Sequence, residues 1–308
     1  MSTWVKVTLG VVAVLLAIGS GVYWWLIVDG AAPDKVADFA LDIDDLRRLA
    51  NERPGDKPGE IRVEEVAAFA FPATAVVAGD GWKTVSLPVF TYQIAYPDGH
   101  TVIVDTALEK EMGGDNLASF DPEAYARMEQ AMGDASLILI THEHMDHIGG
   151  LTAYPDLPAV LPQTKLTAEQ VAHPERSVPA KFPDGALDGY EGLDYAHYDA
   201  IAPGIVLIKS PGHTPGSQMV YVQTADGKEV LLIGDVAWHY KNIEVMRERA
   251  RLVTKFMLKE NRGLVFSELK ALADLADAAP EVAIVPGHDG GVVTALLDKG
   301  VMARGFAE

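Results

Sequence analysis

Apolar and polar positions alternate along this chain on three length scales. From Val7 to Val28 the sequence VTLGVVAVLLAIGSGVYWWLIV carries no charged side chain. As a helix such a run is ~33 Å long, enough to cross the hydrocarbon core of a bilayer. Between residues 41 and 49, Leu41, Leu46 and Leu49 recur among acids and arginines, which predicts a short helix; ERPGDKPG at 52–59 then breaks the pattern. From Ile61 onward, apolar runs of strand length are separated by helical patterns such as PEAYARMEQAM (122–132) and GLVFSELKALADLA (263–276). That order predicts the α/β class with a mixed sheet. Three segments follow: 1–28, a membrane helix; 29–60, a tether with a short helix; and 61–308, one main domain without repeats or a second linker.

The flanks of the first segment predict its orientation. Lys6 precedes the run, Asp29 and Asp34 follow it, and Tyr23, Trp24 and Trp25 lie where an aromatic belt would. This favours a single uncleaved anchor with a cytoplasmic N-terminus and the main domain exported to the periplasmic or extracellular side. The alternative is a signal peptide cut before Ala31 and a secreted product, although the apolar run is longer than a usual signal core. Composition narrows the chemistry. The formal net charge of −19, from 44 acids against 25 bases, matches a phosphate backbone poorly and argues against nucleic acid as a partner. With no cysteine, disulfides, a thiolate nucleophile and thiolate metal ligands are all excluded.

Three of the nine histidines fall within THEHMDHIGG, at 142, 144 and 147. Rings packed so closely repel one another when protonated, whereas neutral rings on a shared metal do not. His142 and His144, one residue apart, emerge on the same side of an extended backbone and can grip one ion. Asp146 and His147 can reach a second, where Gly149 and Gly150 allow a helix to start. Other apolar runs also end on chemistry: TVIVD at Asp105, GIVLIKSPGH at His213, VLLIGD at Asp235 and EVAIVPGH at His288. Side chains at the carboxyl ends of strands line a common crevice in α/β folds, so these groups can converge across the chain. His213 then completes the first site, His288 the second, and Asp235 bridges them, which leaves room for water on each metal.

This ordered set resembles the metallo-β-lactamase fold superfamily over roughly residues 61 to 295. The resemblance implies a four-layer αβ/βα sandwich with two metals, most often zinc, at one edge between two sheets; other divalent ions, iron or manganese included, are possible. It implies His142, His144 and His213 as ligands of the first metal, Asp146, His147 and His288 of the second, and Asp235 as the bridge. Asp105 matches an aspartate that orients a ligand from behind, usually in Asp-Ser/Thr-Gly; here the sequence is Asp105-Thr106-Ala107, without the glycine. Paired cations make hydroxide available near neutral pH and polarise a carbonyl. The expected enzyme is a zinc-dependent hydrolase that attacks a small-molecule carbonyl with metal-bound hydroxide. Asp146 and Asp235 are its catalytic carboxylates, with Asp146 also passing a proton to the leaving group.

Asp235 with DVAWHYKNIE (235–244) resembles the N-acyl homoserine lactone lactonases more than the antibiotic-cleaving members, so a lactone or ester is the expected substrate. Those lactonases commonly carry a tyrosine three residues after the bridging aspartate, where this chain has Trp238. Trp238, His239 and Tyr240 are candidates for the pocket wall or for simple packing. Met246, Leu252, Phe256 and Met257 either line an acyl pocket or form a core or helix interface. A glutathione thioesterase of the glyoxalase II type would need basic residues in the C-terminal part. Arg247, Arg249 and Arg251 are available but read as a solvated helix face. A β-lactamase-like amide hydrolase is a further alternative. An iron redox member is disfavoured, because such relatives usually carry glutamate where His144 stands.

Overall fold

The computed structural model describes residues 1–307. Two sheets form the centre. The first runs β12 (Ala303–Arg304), β1 (Glu60–Pro72), β2 (Thr84–Ala95), β3 (Thr101–Val104), β5 (Leu137–Leu139), β6 (Thr164–Lys165), with β4 (Leu117–Phe120) pairing on β1. The second runs β11 (Ala283–Val285), β10 (Glu229–Leu232), β9 (Gln218–Gln223), β8 (Ile205–Lys209), β7 (Tyr198–Ala202). Both are mixed: β3 and β5 are parallel within the first, β10 and β11 within the second.

The apolar runs make strands buried on both faces, which is why they read as continuous rather than alternating. Ile61, Tyr92 and Val104 of the first sheet meet Leu207, Val220 and Leu232 of the second in a shared core. Outside the second sheet, Leu269 and Leu272 of helix Arg262–Ala278 pack on Ile208 and Leu231. Outside the first, Met128 and Met132 of helix Pro122–Asp134 join Ile148 and Leu151 of helix Met145–Thr152 against Ile103 and Ile138. The result is a helix–sheet–sheet–helix sandwich.

Within residues 29–60, expected as a tether with a short helix, the helix itself lies against this sandwich, while much of the rest is exposed. The stripe formed by Leu41, Leu46 and Leu49 gives helix Ile43–Leu49 one apolar face, and Leu46 is wholly buried among Val206, Ile208 and Tyr221. Arg47 forks onto Glu229 of β10 at 2.8 and 2.7 Å. The packed unit therefore includes residues upstream of Ile61, because that stripe has nowhere else to bury itself.

The N-terminal helix Thr3–Tyr23 buries none of its residues. Its last turn widens through Val28, where the Asp29 N–H bonds back to the Trp24 carbonyl at 2.8 Å. There it meets the domain. The Ile27 carbonyl accepts from Thr74 Oγ1 and from the Gly79 N–H, each at 3.0 Å. Asp29 pairs with Arg251 at 2.5 Å, and both side chains are largely buried.

Candidate metal centre

Five strand ends supply the site. Asp105 follows β3, His142 and His144 follow β5, His213 follows β8, Asp235 follows β10 and His288 follows β11. Because β8 and β10 are both antiparallel to β9, and β11 is parallel to β10, three of those ends emerge on one edge of the second sheet.

The loop after β5 turns at His144 into helix Met145–Thr152, which presents Asp146 and His147. Gly149 and Gly150, expected at a helix start, lie inside that helix, and they let it press on the Asp105 loop. A Cβ on Gly150 would stand 2.1 Å from the Thr106 carbonyl oxygen. In that loop Ala107 occupies the left-handed region at φ 50°, so the turn is kept although the glycine is absent. On the other side, a Cβ on Gly287 would lie 2.2 Å from Asp235 Oδ1. The glycine of that PGH motif is thus required by close approach to the carboxylate, beyond ending a strand.

Two groups of donors result: His142, His144, His213 and Asp235, then Asp146, His147 and His288, each with its ligand atoms within 4.8 Å of one another. Asp235 joins them. Its Oδ2 is 3.8 Å from His142 Nε2 and 3.5 Å from His213 Nε2, whereas its Oδ1 is 3.4 Å from His147 Nε2 and 3.2 Å from His288 Nε2. Asp146 Oδ2 is 3.5 Å from His288 Nε2.

Hydrogen bonds behind the rings fix their tautomers. His147 Nδ1 donates to Asp105 Oδ2 at 2.7 Å, His213 Nδ1 to Glu260 Oε1 at 2.6 Å and His288 Nδ1 to the Pro88 carbonyl at 2.8 Å. Each Nε2 is thereby turned inward, where its lone pair can serve a metal once any proton there has left. Asp105 is itself held by the Thr141 N–H at 2.7 Å and the Thr141 hydroxyl at 2.8 Å. The fit to a cation is direct: His147 Nε2 and Asp235 Oδ1 are buried without any hydrogen-bond partner, an arrangement that costs energy unless something else satisfies them.

Electrostatics agree. Burial, helped by neighbouring rings, holds His142 and His144 well below the ordinary imidazole range, so both are neutral donors. Burial also presses on His147, but Asp105, Asp235 and Asp146 outweigh it and raise that ring well above the ordinary range. His288 is raised in the same way by Asp235 and Asp146. Against its own burial, Asp235 is pushed well below the usual carboxylate range by His288, His147 and His142. Buried anions thus call for positive charge, and protons on two rings compete with metal for that role.

A cavity of about 470 Å³ opens over His144, Asp146, Asp235 and His288. Phe69, Phe71, Leu87, Trp238 and Leu258 form its apolar walls, and Arg176, Val178, Met257 and Lys259 stand near its mouth. Among the three aromatic candidates only Trp238 lines it. His239 and Tyr240 do not, because the chain turns there into helix Tyr240–Glu244: His239 caps it beside Asp289, 3.1 Å away, and Tyr240 packs against the second sheet's helix layer. The Trp238 indole N–H donates to Asp235 Oδ2 at 2.6 Å, so it is already engaged.

The arginines also differ from expectation. Arg249 is almost wholly buried, donating to Glu260 and, at 2.9 Å, to the Asp235 carbonyl while stacking 5.0 Å from the Trp238 ring centre. Spacing of two residues at 247, 249 and 251 fits an extended segment better than a helix face, and that signal was available in the sequence. Glu260, behind His213, had no such signal. Glu143 points away from the donors and clamps the His213 loop, accepting from the Gly216 N–H at 2.9 Å and from Thr214 Oγ1. Of the apolar quartet, Met246 packs on the second sheet's helix layer; Met257 lines the cavity, and it stands half exposed with Leu252 and Phe256, so those three are not core.

Comparison with known proteins agrees with this geometry. Residues 86–288 match the family model described as the metallo-beta-lactamase superfamily. The chain belongs to that superfamily. An N-acyl homoserine lactonase of a Bacillus species is 32% identical over 180 residues, 53% of this chain and 69% of that protein. The N-acyl homoserine lactonase AiiA of Bacillus thuringiensis subsp. kurstaki is 27% identical over the same coverage. A probable metallo-hydrolase of Mycobacterium tuberculosis is 28% identical over 201 residues, 56% of this chain and 62% of its own length. Among solved structures, an N-acyl homoserine lactone hydrolase with the product N-hexanoyl-L-homoserine at its catalytic metal center superposes with a TM-score of 0.61. The two share 19% identity, with 78% of this chain and 96% of that one covered. That likeness establishes the shared fold. The protein is accordingly a metallo-beta-lactamase superfamily hydrolase with lactonase relatives, and its His/Asp cluster is compatible with metal binding.

Proposed function

We propose that this chain is a dinuclear zinc hydrolase acting on the carbonyl of an acyl lactone or ester. The observation that carries the reading is Asp235, whose two oxygens face two separate donor groups at 3.2 to 3.8 Å. His142, His144 and His213 would hold one ion, Asp146, His147 and His288 the other. Bound zinc supplies a water acidic enough to attack at neutral pH and a Lewis acid for the carbonyl.

The remaining chemistry belongs to the chain. Asp146, the least buried of the cluster's carboxylates, borders the cavity and is placed to carry a proton to the leaving alkoxide. Trp238 gives its one donor to Asp235, so it orients that carboxylate and has no hydrogen bond left for the substrate carbonyl, while its ring remains part of the cavity wall. Phe69, Phe71, Leu87 and Leu258 offer an acyl chain an apolar wall. Arg176 and Lys259 near the mouth keep a second reading open, a glutathione thioesterase, since they could hold a substrate carboxylate.

The helix Thr3–Val28 serves in this reading as a retained membrane anchor with the domain exported. Support comes from its length, its apolar exposed surface and the docking of Ile27 and Asp29 on the domain, which cleavage before Ala31 would discard. The test is hydrolysis by the full chain of acyl lactones, aryl esters, β-lactams and glutathione thioesters, with zinc measured in parallel. Lactone or ester turnover that disappears in His144→Ala supports the reading. Turnover confined to the glutathione thioesters would replace it.

A further inference from the structure

The end of the N-terminal helix and the mouth of the cavity are joined by one short segment. Leu252–Met257 begins beside Trp25, with Arg251 and Lys255 stacked 5.6 and 5.4 Å from the centre of that ring. It ends at Met257, which lines the cavity. Along it Leu252, Phe256 and Met257 are 48%, 57% and 54% exposed, an unusual concentration of large apolar side chains on a domain this acidic. Across the helix a second exposed aromatic meets it: Trp82, 60% exposed, donates its indole N–H to the Tyr23 hydroxyl at 3.1 Å.

Helix geometry sets the depth of these contacts. With Lys6 at the inner boundary, a core of ~30 Å ends about 20 residues further on, near Leu26. Tyr23 and Trp25 therefore lie at or just inside the outer boundary. Domain residues that touch them share their level, and the buried Asp29–Arg251 pair and the bonds to the Ile27 carbonyl leave no slack to lift the domain away. Lys255 and Lys259, on the same face, carry no ion pair among the described residues, as suits contact with anionic headgroups.

We propose that this face of the domain rests in the outer bilayer interface, so that the cavity opens at the lipid surface and takes long-chain amphiphilic carbonyl compounds already partitioned there. The inference rests on the anchor reading given above. Phe256 and Leu252 insert beside the anchor, Trp82 sits opposite, and Met257 marks the passage from lipid to the metal cluster. A substrate with a long acyl chain then reaches the site without crossing bulk water.

The absence of cysteine makes the test clean, since one introduced thiol carries a nitroxide at one defined place. The full chain, labelled after Phe256→Cys or, as a control, Glu281→Cys, is reconstituted in phosphatidylcholine–phosphatidylglycerol vesicles. Collisions with oxygen, which concentrates in lipid, are compared with those of a water-soluble nickel chelate. The expected ratio of oxygen to nickel accessibility is several-fold higher at 256 than at 281. Equal ratios would overturn the proposal, as would dipolar broadening between labels at 256, which would mean that a second copy covers the patch. In the same vesicles Phe256→Ser should raise KM for a dodecanoyl lactone several-fold, leaving kcat and the kinetics of a hexanoyl lactone unchanged. An unchanged KM would refute delivery through the interface. A lipid-facing label without turnover of any lactone would keep the docking and retire the lactone reading.

Discussion

His147 and His213 are both steadied by a carboxylate on Nδ1, yet the two supports are built differently. Asp105 comes from the neighbouring strand end of the same sheet and is held by Thr141, a neutral residue one step from the histidine loop. Glu260 comes from 47 residues further along and is held by Arg249, a buried cation that also grips the Asp235 carbonyl. Both carboxylates come from more than 40 residues away along the chain, but Asp105 is held by an amide and a hydroxyl, whereas Glu260 is held by a buried cation. Only the second places a paired buried charge behind the donor cluster, so its loss is expected to fall on the stability of the fold as well as on the site.

Removing charge from each support should expose the contrast. Glu260→Gln leaves Arg249 buried without its anion and is expected to cost about 3–5 kcal/mol in chemical denaturation, because unpaired buried charge is so unfavourable. Asp105→Asn should weaken metal binding at the His147 group by roughly 10- to 100-fold in a competition titration, with much less loss of stability. If the two variants were equally unstable, the contrast would fail.

The ion-pair side carries a further liability in Glu268, buried beneath the same loop and accepting from the Gly212 N–H at 3.0 Å. Burial pushes its carboxyl from 4.5 up to about 8. The folded state then holds this proton more tightly than the unfolded chain does. Its contribution is fully present below about pH 4.5 and is lost as pH rises through about 8. Glu268→Gln should therefore stabilise the protein at pH 8.5 by roughly 4–5 kcal/mol and have little effect at pH 4. Equal effects at both pH values would show that the carboxyl does not titrate in this way.

Trp238→Phe is the mildest change. It removes a single hydrogen bond to Asp235 from a packed ring and should lower kcat about tenfold with metal content unchanged. A loss of metal would assign the indole a larger part in holding the cluster.

The same contrast explains what could be read from the sequence. His142, His144, His213, Asp235 and His288 announce themselves because each terminates an apolar run, and parallel strands bring such ends together. Asp105 shares that signature. Glu260 and Arg249 terminate nothing: a buried ion pair leaves no period in the sequence, and its members look like surface residues until the fold closes over them. The helix at 43–49 was legible from its leucines, but not that the sandwich would bury them. His239 and Tyr240 were drawn in by adjacency to Trp238, and a helix cap turned them away from the cavity.

Asp235 is expected to join two metal subsites. Zinc per chain, measured for the purified full chain and for Asp235→Ala after exhaustive dialysis, tests this most directly. Two ions in the parent chain and fewer than one in the variant, with hydrolysis lost, are expected. Retention of two ions by Asp235→Ala would contradict the account.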